Sequence, residues 1–468
     1  MFWTLRREFI ISASQFASHS SKNSTGTYGD LGISASSKPF ALHEEYQMLA
    51  LESGYQNGLC FLSRGNLNVD RPQLQHSSVT ELPVDALLPN QSSQLKASLT
   101  VDSSDGLACA ASARLWEHLL EEYRLPYLLL RVADMRMTLG SKVTALSLYE
   151  ELQMVLEDPH LASWLALSRS SILVEAKRQL FNYKNNPSLS FSPSQRWRST
   201  AGKHTFPYCK LQRAQIDVIR DQWQNIGPSE DVMAKFLNFH CLETNHIEGT
   251  MQFDPSAITR LVEVGFYNQA ELVDGSSPIA GAVRNRADAL SILQDTHKAL
   301  KEMFTFLKSD PPNLTVESVC RFHAKLMQTS RVLYSDTGSG FRLSYLNIGV
   351  TRQTSCVNVT ATLHEQGVKI QFCPSDEVEA ELDKFCKRFN ELVQQPDMDP
   401  FASAAWISHV LVTIHPFEDG NGRLSRILAS IPLLRNGLPP LCIPAFYKSA
   451  YITLLNNASL IVPTFSFP

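Results

Sequence analysis

His415-Pro-Phe-Glu-Asp-Gly-Asn-Gly-Arg-Leu-Ser-Arg426 is the stretch on which the reading of this chain turns. Proline at 416 stops any helix arriving from upstream, because it lacks a backbone donor and clashes with the preceding turn. Gly420 and Gly422 allow backbone angles that other residues avoid, so successive N–H groups can converge on one hollow. A new helix beginning near Gly422 aims its N-terminus at the same hollow, and its dipole adds partial positive charge there. Arg423 and Arg426, three residues apart, share a face of that helix and can reach a polyphosphate chain. Asp419 is an oxygen donor of the kind Mg²⁺ takes when it also binds phosphates. His415, at the rim, is placed to take a proton from an attacking hydroxyl. A lone histidine or a lone Gly-Asn-Gly turn is usually structural; the signal is base, acid, glycines and arginines together in one short run.

Working outward, the surroundings predict helices. Asp399–Pro400 is a helix start, with Asp as cap and Pro in the first turn, and the helix runs through Trp406 and Val410 to Ile414. Val378, Leu382, Phe385, Phe389 and Leu392 recur at steps of four and three after Pro374. A long helix is expected over Ala280 to Leu307, and Ser229 can cap another through Val232, Phe236 and Leu237 that stops near Gly249. Phe341 to Phe372 alternates weakly, is rich in Thr and Val, and reads as one β-hairpin. The expected fold class is all-α with that small hairpin, over 205–468.

The N-terminal half is less uniform. Residues 1–105, broken by Ser, Asn and Gln clusters, are expected to be mostly disordered. From 106 to 190 the pattern is helical, with Leu115, Leu119 and Tyr123 on one face and Leu128, Val132 and Met135 on the next. Leu125 to Pro159 resembles one tetratricopeptide unit, with Gly140 at the turn and Ala145 and Tyr149 on the second helix; an ordinary helical hairpin fits equally. Residues 191–204, within a polar, Pro-containing stretch, are the expected linker.

Composition narrows the classes. A hydrophobic fraction of 44% and a charged fraction of 19% are those of a globular protein. A net charge of -4 argues against a dedicated nucleic-acid binder. Nine cysteines without a CxxC favour reduced thiols, and no apolar run long enough for a transmembrane segment occurs. Residues 1–29 set Arg6, Arg7 and Lys22 against a single acid, Glu8, a composition shared with mitochondrial presequences. Without an amphipathic Arg face, a disordered tail and a cytoplasmic location are the expectation. Gly338-Ser-Gly340 is not a dinucleotide fingerprint, and no Walker loop occurs. His240, Cys241 and His246 share one short helix but lack a fourth metal ligand, so packing and surface roles are expected.

The decisive stretch matches His-Pro-Phe-x-(Asp/Glu)-Gly-Asn-Gly-Arg-x-x-Arg without a departure, and on it the chain resembles the Fic (Fido) family. Further stretches are similar: Val283 to Leu290 resembles an upstream helix, Gly340-Phe-Arg342 with Asn347-Ile-Gly349 resembles the flap, and Cys373 to Val378 the segment after it. The resemblance covers about 230–460. It implies a protein adenylyltransferase that moves AMP from ATP onto a Ser, Thr or Tyr hydroxyl. His415 would be the base and Asp419 the Mg²⁺ ligand. Gly420, Asn421, Gly422, Arg423, Ser425 and Arg426 would hold the phosphates, with Asn457 on the adenine side. Thr244-Asn-His-Ile-Glu-Gly249 fits the family's inhibitory pattern, (Ser/Thr)-x-x-x-Glu-(Gly/Asn), which makes Glu248 an autoinhibitory partner of Arg426 on a helix at about 229–249. The implied partners are ATP, Mg²⁺, a protein substrate and, as an open option, a second copy of the chain. Two departures stand out: an apparent insertion from Gly349 to Gly367 in the flap, and a short C-terminus over Ile461 to Pro468. AMP removal by the same site, and a decayed scaffold, are the alternatives.

Overall fold

The computed structural model describes residues 47–49, 69–102, 104–185, 195–199, 211–226, 229–267, 276–308, 312–336, 341–363, 368–395 and 397–460. The fold is all-α with two small antiparallel sheets. It starts with strand β1 (Gln47–Leu49), then helices α1 (Ser77–Thr80), α2 (Pro89–Ser98), α3 (Gly106–Tyr123), α4 (Pro126–Thr138), α5 (Lys142–Leu156) and α6 (Pro159–Asn185). Helices α4 and α5 form the expected hairpin: Leu128, Val132, Met135, Ala145 and Tyr149 are all buried, and Gly140 turns the chain with φ 91°.

The folded part begins before residue 106. Leu74, Val79, Leu87 and Leu95 enter the same core as the hairpin, Arg71 pairs with Asp134 at 2.6 Å, and the Trp116 indole donates to Ser98 Oγ at 2.8 Å. These anchors are irregularly spaced among polar residues, so no period advertises them. The rest of 1–68, the presequence question, most of the 191–204 linker, Gly338-Ser-Gly340 and Ile461 to Pro468 lie outside the described residues.

The second core is built by α7 (Arg213–Ile226), α8 (Glu230–Ile247), α9 (Pro255–Val264), α10 (Arg286–Leu307) and α11 (Val316–Leu326), and then by helices from the C-terminal third. Ser229 caps α8, accepting from Val232 N at 3.5 Å. Helix α10 starts at Arg286 and not at Ala280: Ala280 bridges to Gln252, and Asn285 is the cap, accepting from Asp288 N.

The single hairpin expected over 341–372 is two hairpins. Strands β2 (Val332–Asp336) and β3 (Phe341–Tyr345) pair with each other. A short helix α12 (Arg352–Ser355) follows, and β4 (Asn358–Leu363) pairs with β5 (Val368–Gln371). The described part of the apparent insertion from 349 to 367 thus holds α12 and β4, the first strand of the second hairpin; β1 adds to the β4 edge, and Gln195 bridges to Ile370 on the other. The first hairpin belongs physically to the N-terminal core, where Val332, Phe341, Leu343 and Tyr345 pack among α3–α5. Within that core Glu117 of α3 takes Arg136 at 2.6 Å and the Tyr345 hydroxyl at 2.8 Å, and Arg114 of α3 reaches across to Asp288 of α10 at 2.7 Å.

Helices α13 (Val378–Gln394), α14 (Pro400–Ile414), α15 (Asn421–Arg435) and α16 (Lys448–Leu460) complete the fold. Asp399 caps α14, accepting from Phe401 and Ala402 N. Helices α14 and α15 pack side by side in the middle of the core and hold the 415–420 loop between them. No described helix is long and apolar enough to cross a membrane.

Candidate active site

His415 ends α14 in the left-handed region, with φ 53°. A non-glycine residue there costs about 1 kcal/mol or more, so other contacts must hold it. Arg352 supplies them. Its fully buried guanidinium donates to His415 O (2.6 Å), Ile414 O (3.1 Å), Cys373 O (2.7 Å) and Val357 O (3.1 Å), and its own N–H donates to Pro416 O. The His415 ring stacks on Phe372 at 3.9 Å. Its Nδ1 lies 3.3 Å from Val412 O; a carbonyl only accepts, so Nδ1 carries the proton and Nε2 the lone pair. Burial, with Arg352 adding, pushes the ring down to about 3, so it is neutral at physiological pH.

The loop then closes on itself. Asn421 Oδ1 accepts from Phe417 N at 3.0 Å and its Nδ2 donates to Phe417 O at 2.9 Å. Phe417 is buried and stacks on His323 at 3.8 Å, which anchors the loop in the core. His323 takes the Gly349 N–H on Nδ1 (2.8 Å) and therefore donates from Nε2 to Asp419 O (2.9 Å). Gly420 turns the chain into α15 with φ 77°. The first N–H groups of α15 have no acceptor within the helix and face outward along its axis.

Four charged groups meet at that N-terminus. Arg426 is buried and donates from Nε to Thr244 Oγ1 (2.8 Å) and from Nη2 to Thr244 O (3.0 Å) and to Glu248 Oε1 (2.6 Å). Burial disfavours its charge, but Glu248 and Tyr451 together outweigh that and raise its pKa. Glu248 sits so close to the first turn of α15 that a Cβ on Gly422 would fall 2.2 Å from its Oε1. Arg423, also buried, reaches Asn245 Oδ1 and Asp419 Oδ2, each at 3.3 Å, and its Nε has no partner among the described residues. The Asp419 side chain is half exposed, with Gly420 N donating to its Oδ1 at 2.6 Å. One accessible carboxylate beside an anion cradle fits Mg²⁺ brought in with a polyphosphate, which needs only one or two protein carboxylates. Among the described residues no group of three His, Cys, Asp or Glu could hold a metal on its own; His240 and Cys241 are buried packing residues.

The expected site residues thus divide. Asp419, Arg423, Arg426 and Glu248 meet at the first turn of α15, which Gly420 and Gly422 open, and His415 stands at the start of the same loop. Asn421 and Ser425 are in the same segment with their side chains turned away: Asn421 braces the loop, and the buried Ser425 hydroxyl donates back to Gly422 O at 2.8 Å. Asn457 is on α16, and its side chain lies outside the described residues. Sequence reasoning missed His323, Arg352, Thr244 as a ligand of Arg426, and Glu418, which lies buried against Asn347. Thr244 is the first specified position of the inhibitory pattern, which could have marked it; Glu418 occupies an unspecified place in the quoted motif, and His323 and Arg352 are distant from it in sequence, so no local signal marks those three.

Residues 313–433 match the Fic/DOC family. The chain carries a Fic/DOC domain. The 415–420 loop lies inside the matched residues, and α8 lies upstream of them. The protein adenylyltransferase fic-1 of Caenorhabditis briggsae is 41% identical over 63 residues, which are 14% of this chain and 12% of that protein. A Fido domain-containing protein of Dictyostelium discoideum is 45% identical over 53 residues, 11% of this chain and 37% of the relative. The matched stretches thus span 12% to 37% of these curated relatives' lengths. Among solved structures, a Fic domain containing signaling protein from Bacteroides thetaiotaomicron has a TM-score of 0.39 at 18% identity, covering 52% of this chain and 81% of that one.

Proposed function

We propose that this protein transfers AMP from ATP to a hydroxyl of a protein substrate, and that Glu248 restrains the reaction. The observation that carries the reading is the Glu248 carboxylate seated on the first turn of α15 and held by Arg426 at 2.6 Å. An anion already occupies the place where helix dipole, N–H groups and buried arginines favour one. The neutral His415 ring, at the start of the same loop, supports a proton-accepting role. The relatives named protein adenylyltransferases support the same chemistry.

In this reading the hydroxyl of a target Ser, Thr or Tyr gives its proton to His415 Nε2. The oxygen forms a bond to the ATP α-phosphorus, the bond to the β-phosphate bridging oxygen breaks, and pyrophosphate leaves with the electron pair. Little covalent chemistry falls to the protein; positioning and charge neutralisation by the α15 N–H groups, Arg423 and Arg426 dominate. Asp419 would hold Mg²⁺, which when bound would neutralise phosphate charge. The γ-phosphate and the Glu248 carboxylate compete for Arg426, so the resting protein binds ATP in a poorly aligned form. AMP removal is the second reading, favoured because Glu248 is partly exposed and stands where it could orient a water.

His415→Ala tests the first reading. It should abolish AMP transfer while leaving ATP affinity nearly intact, since the base acts on the incoming hydroxyl and the cradle holds the phosphates. The measurements are labelled-ATP incorporation and ATP titration; equal incorporation by variant and wild type removes His415 from its role.

A further inference from the structure

Asn347 is buried between the two cores, and its amide faces two different parts of the molecule. On one side, Oδ1 accepts from Ser141 Oγ and from Thr144 Oγ1, each at 2.9 Å. Both hydroxyls belong to the start of α5, in the N-terminal helical hairpin. On the other side, Nδ2 donates to Glu418 Oε1 at 2.8 Å and the backbone N–H to Oε2 at 3.3 Å. This orientation suits both sides, because the amide N–H donates to a carboxylate oxygen and the amide oxygen accepts from the two hydroxyls.

Ser141 shows that the contact is selected over a local alternative. It occupies the cap position of α5, where a serine oxygen ordinarily accepts a first-turn N–H. Here there is no such cap bond, and the hydroxyl is turned to Asn347 and Thr144 instead. A missing cap costs about 1 kcal/mol. Glu418, at the far end, lies between Phe417 and Asp419. It is fixed by the bidentate grip of Asn347, while Arg352 fixes the other end of the same loop through His415 O. The loop carrying base and acid is therefore pinned at its start from within the domain, and at its middle through Asn347 from the hairpin of the other core.

We propose that Ser141, Thr144, Asn347 and Glu418 form a positioning relay through which the α4–α5 hairpin sets the seat of the 415–422 loop, and with it the turnover of AMP transfer. The turnover part rests on the function proposed above; the seating part does not. None of the four touches the nucleotide cradle. They act through the placement of Asp419 and the backbone around it.

The test uses the full chain with Glu248→Gly, to raise the measurable rate. Ser141→Ala with Thr144→Val removes both hydroxyls and alters nothing in the loop. The expected result is about a tenfold loss in kcat with the KM for ATP unchanged, the scale of a slightly misplaced reacting group. Hydrogen–deuterium exchange should quicken at the amides of 415–422. Asn347→Asp should be worse, since it sets two carboxylates face to face. Adding Glu418→Gln to it swaps donor and acceptor across the contact and should restore both kcat and loop protection. Exchange that quickens in α4–α5 alone, with loop and kcat unchanged, overturns the relay, as does failure of the swap to rescue a folded protein. If the Glu248→Gly protein binds ATP and transfers no AMP, the function reading fails, and loop exchange alone still decides the relay.

Discussion

Glu248→Gly is the perturbation that presses hardest on the site. The carboxylate lies 2.6 Å from Arg426 Nη2, on a guanidinium that is almost fully buried, while the Glu248 side chain keeps 19% exposure. A charge-assisted hydrogen bond in such a place contributes about 2–3 kcal/mol. In the resting protein that contact must break before a γ-phosphate can take Arg426, so it adds to the barrier for productive binding. Removing it should raise AMP transfer roughly 30- to 150-fold, at about 1.4 kcal/mol for each power of ten. The same change leaves the buried Arg426 without its counter-charge, held by Thr244 and Tyr451, which should destabilise the protein by about 3 kcal/mol, the lower end of the cost of breaking a buried pair. ATP should restore much of that loss, because its phosphates replace the missing anion. The assay is incorporation of labelled ATP by wild type and variant, with melting curves taken with and without nucleotide. If ATP binds both proteins, label does not increase and the melting curves coincide, the pairing restrains nothing.

Three further outcomes follow from the same contacts. Arg426→Ala should weaken ATP binding much more in the Glu248→Gly background than in the resting protein, where the guanidinium is already engaged; equal losses by calorimetry would contradict the competition. Gly422→Ala should destabilise the wild type, because its Cβ would meet Glu248 Oε1 at 2.2 Å, and should cost little once Glu248 is glycine; a cost that persists in the double variant would place the clash elsewhere. Acid should weaken the fold early. His240, His323 and His415 are each pushed down to about 3, chiefly by burial, whereas in the unfolded chain they titrate near 6.5. Their contribution is complete above 6.5 and falls as pH drops toward 3, by about 1.4 kcal/mol each at pH 5.5. Buried Glu243 and Glu418 are shifted upward and act in the opposite sense, more so at lower pH, which makes pH 7 to 5.5 the window to measure. A melting temperature that stays flat across that window would mean the imidazoles are not held neutral.

Legibility in the sequence followed the range of the interactions. The cap at Asp399, the helix end at Ile414, the α15 start and the α8 stop near Gly249 are set within a few residues, and the sequence predicts each to within one or two positions. Glu248 was legible only through a pattern; that it meets Arg426 depends on α8 crossing the first turn of α15, which no local rule dictates. The two hairpins were read as one because β2 ends in a polar stretch and its apolar residues face helices from another part of the chain. Arg352 is the instructive miss. In sequence it is an unremarkable cation in a Thr-rich segment, yet it caps four carbonyls and keeps His415 in a conformation that the isolated peptide would avoid. The quoted motif names the groups proposed to meet the nucleotide, but the strain at its first residue is held by a side chain outside it. A chain with the motif intact and this arginine lost would still match the pattern, while its base would be free to swing out of line. Residues that hold the backbone of a motif are invisible to the motif for the same reason that they matter: they arrive from elsewhere in the fold.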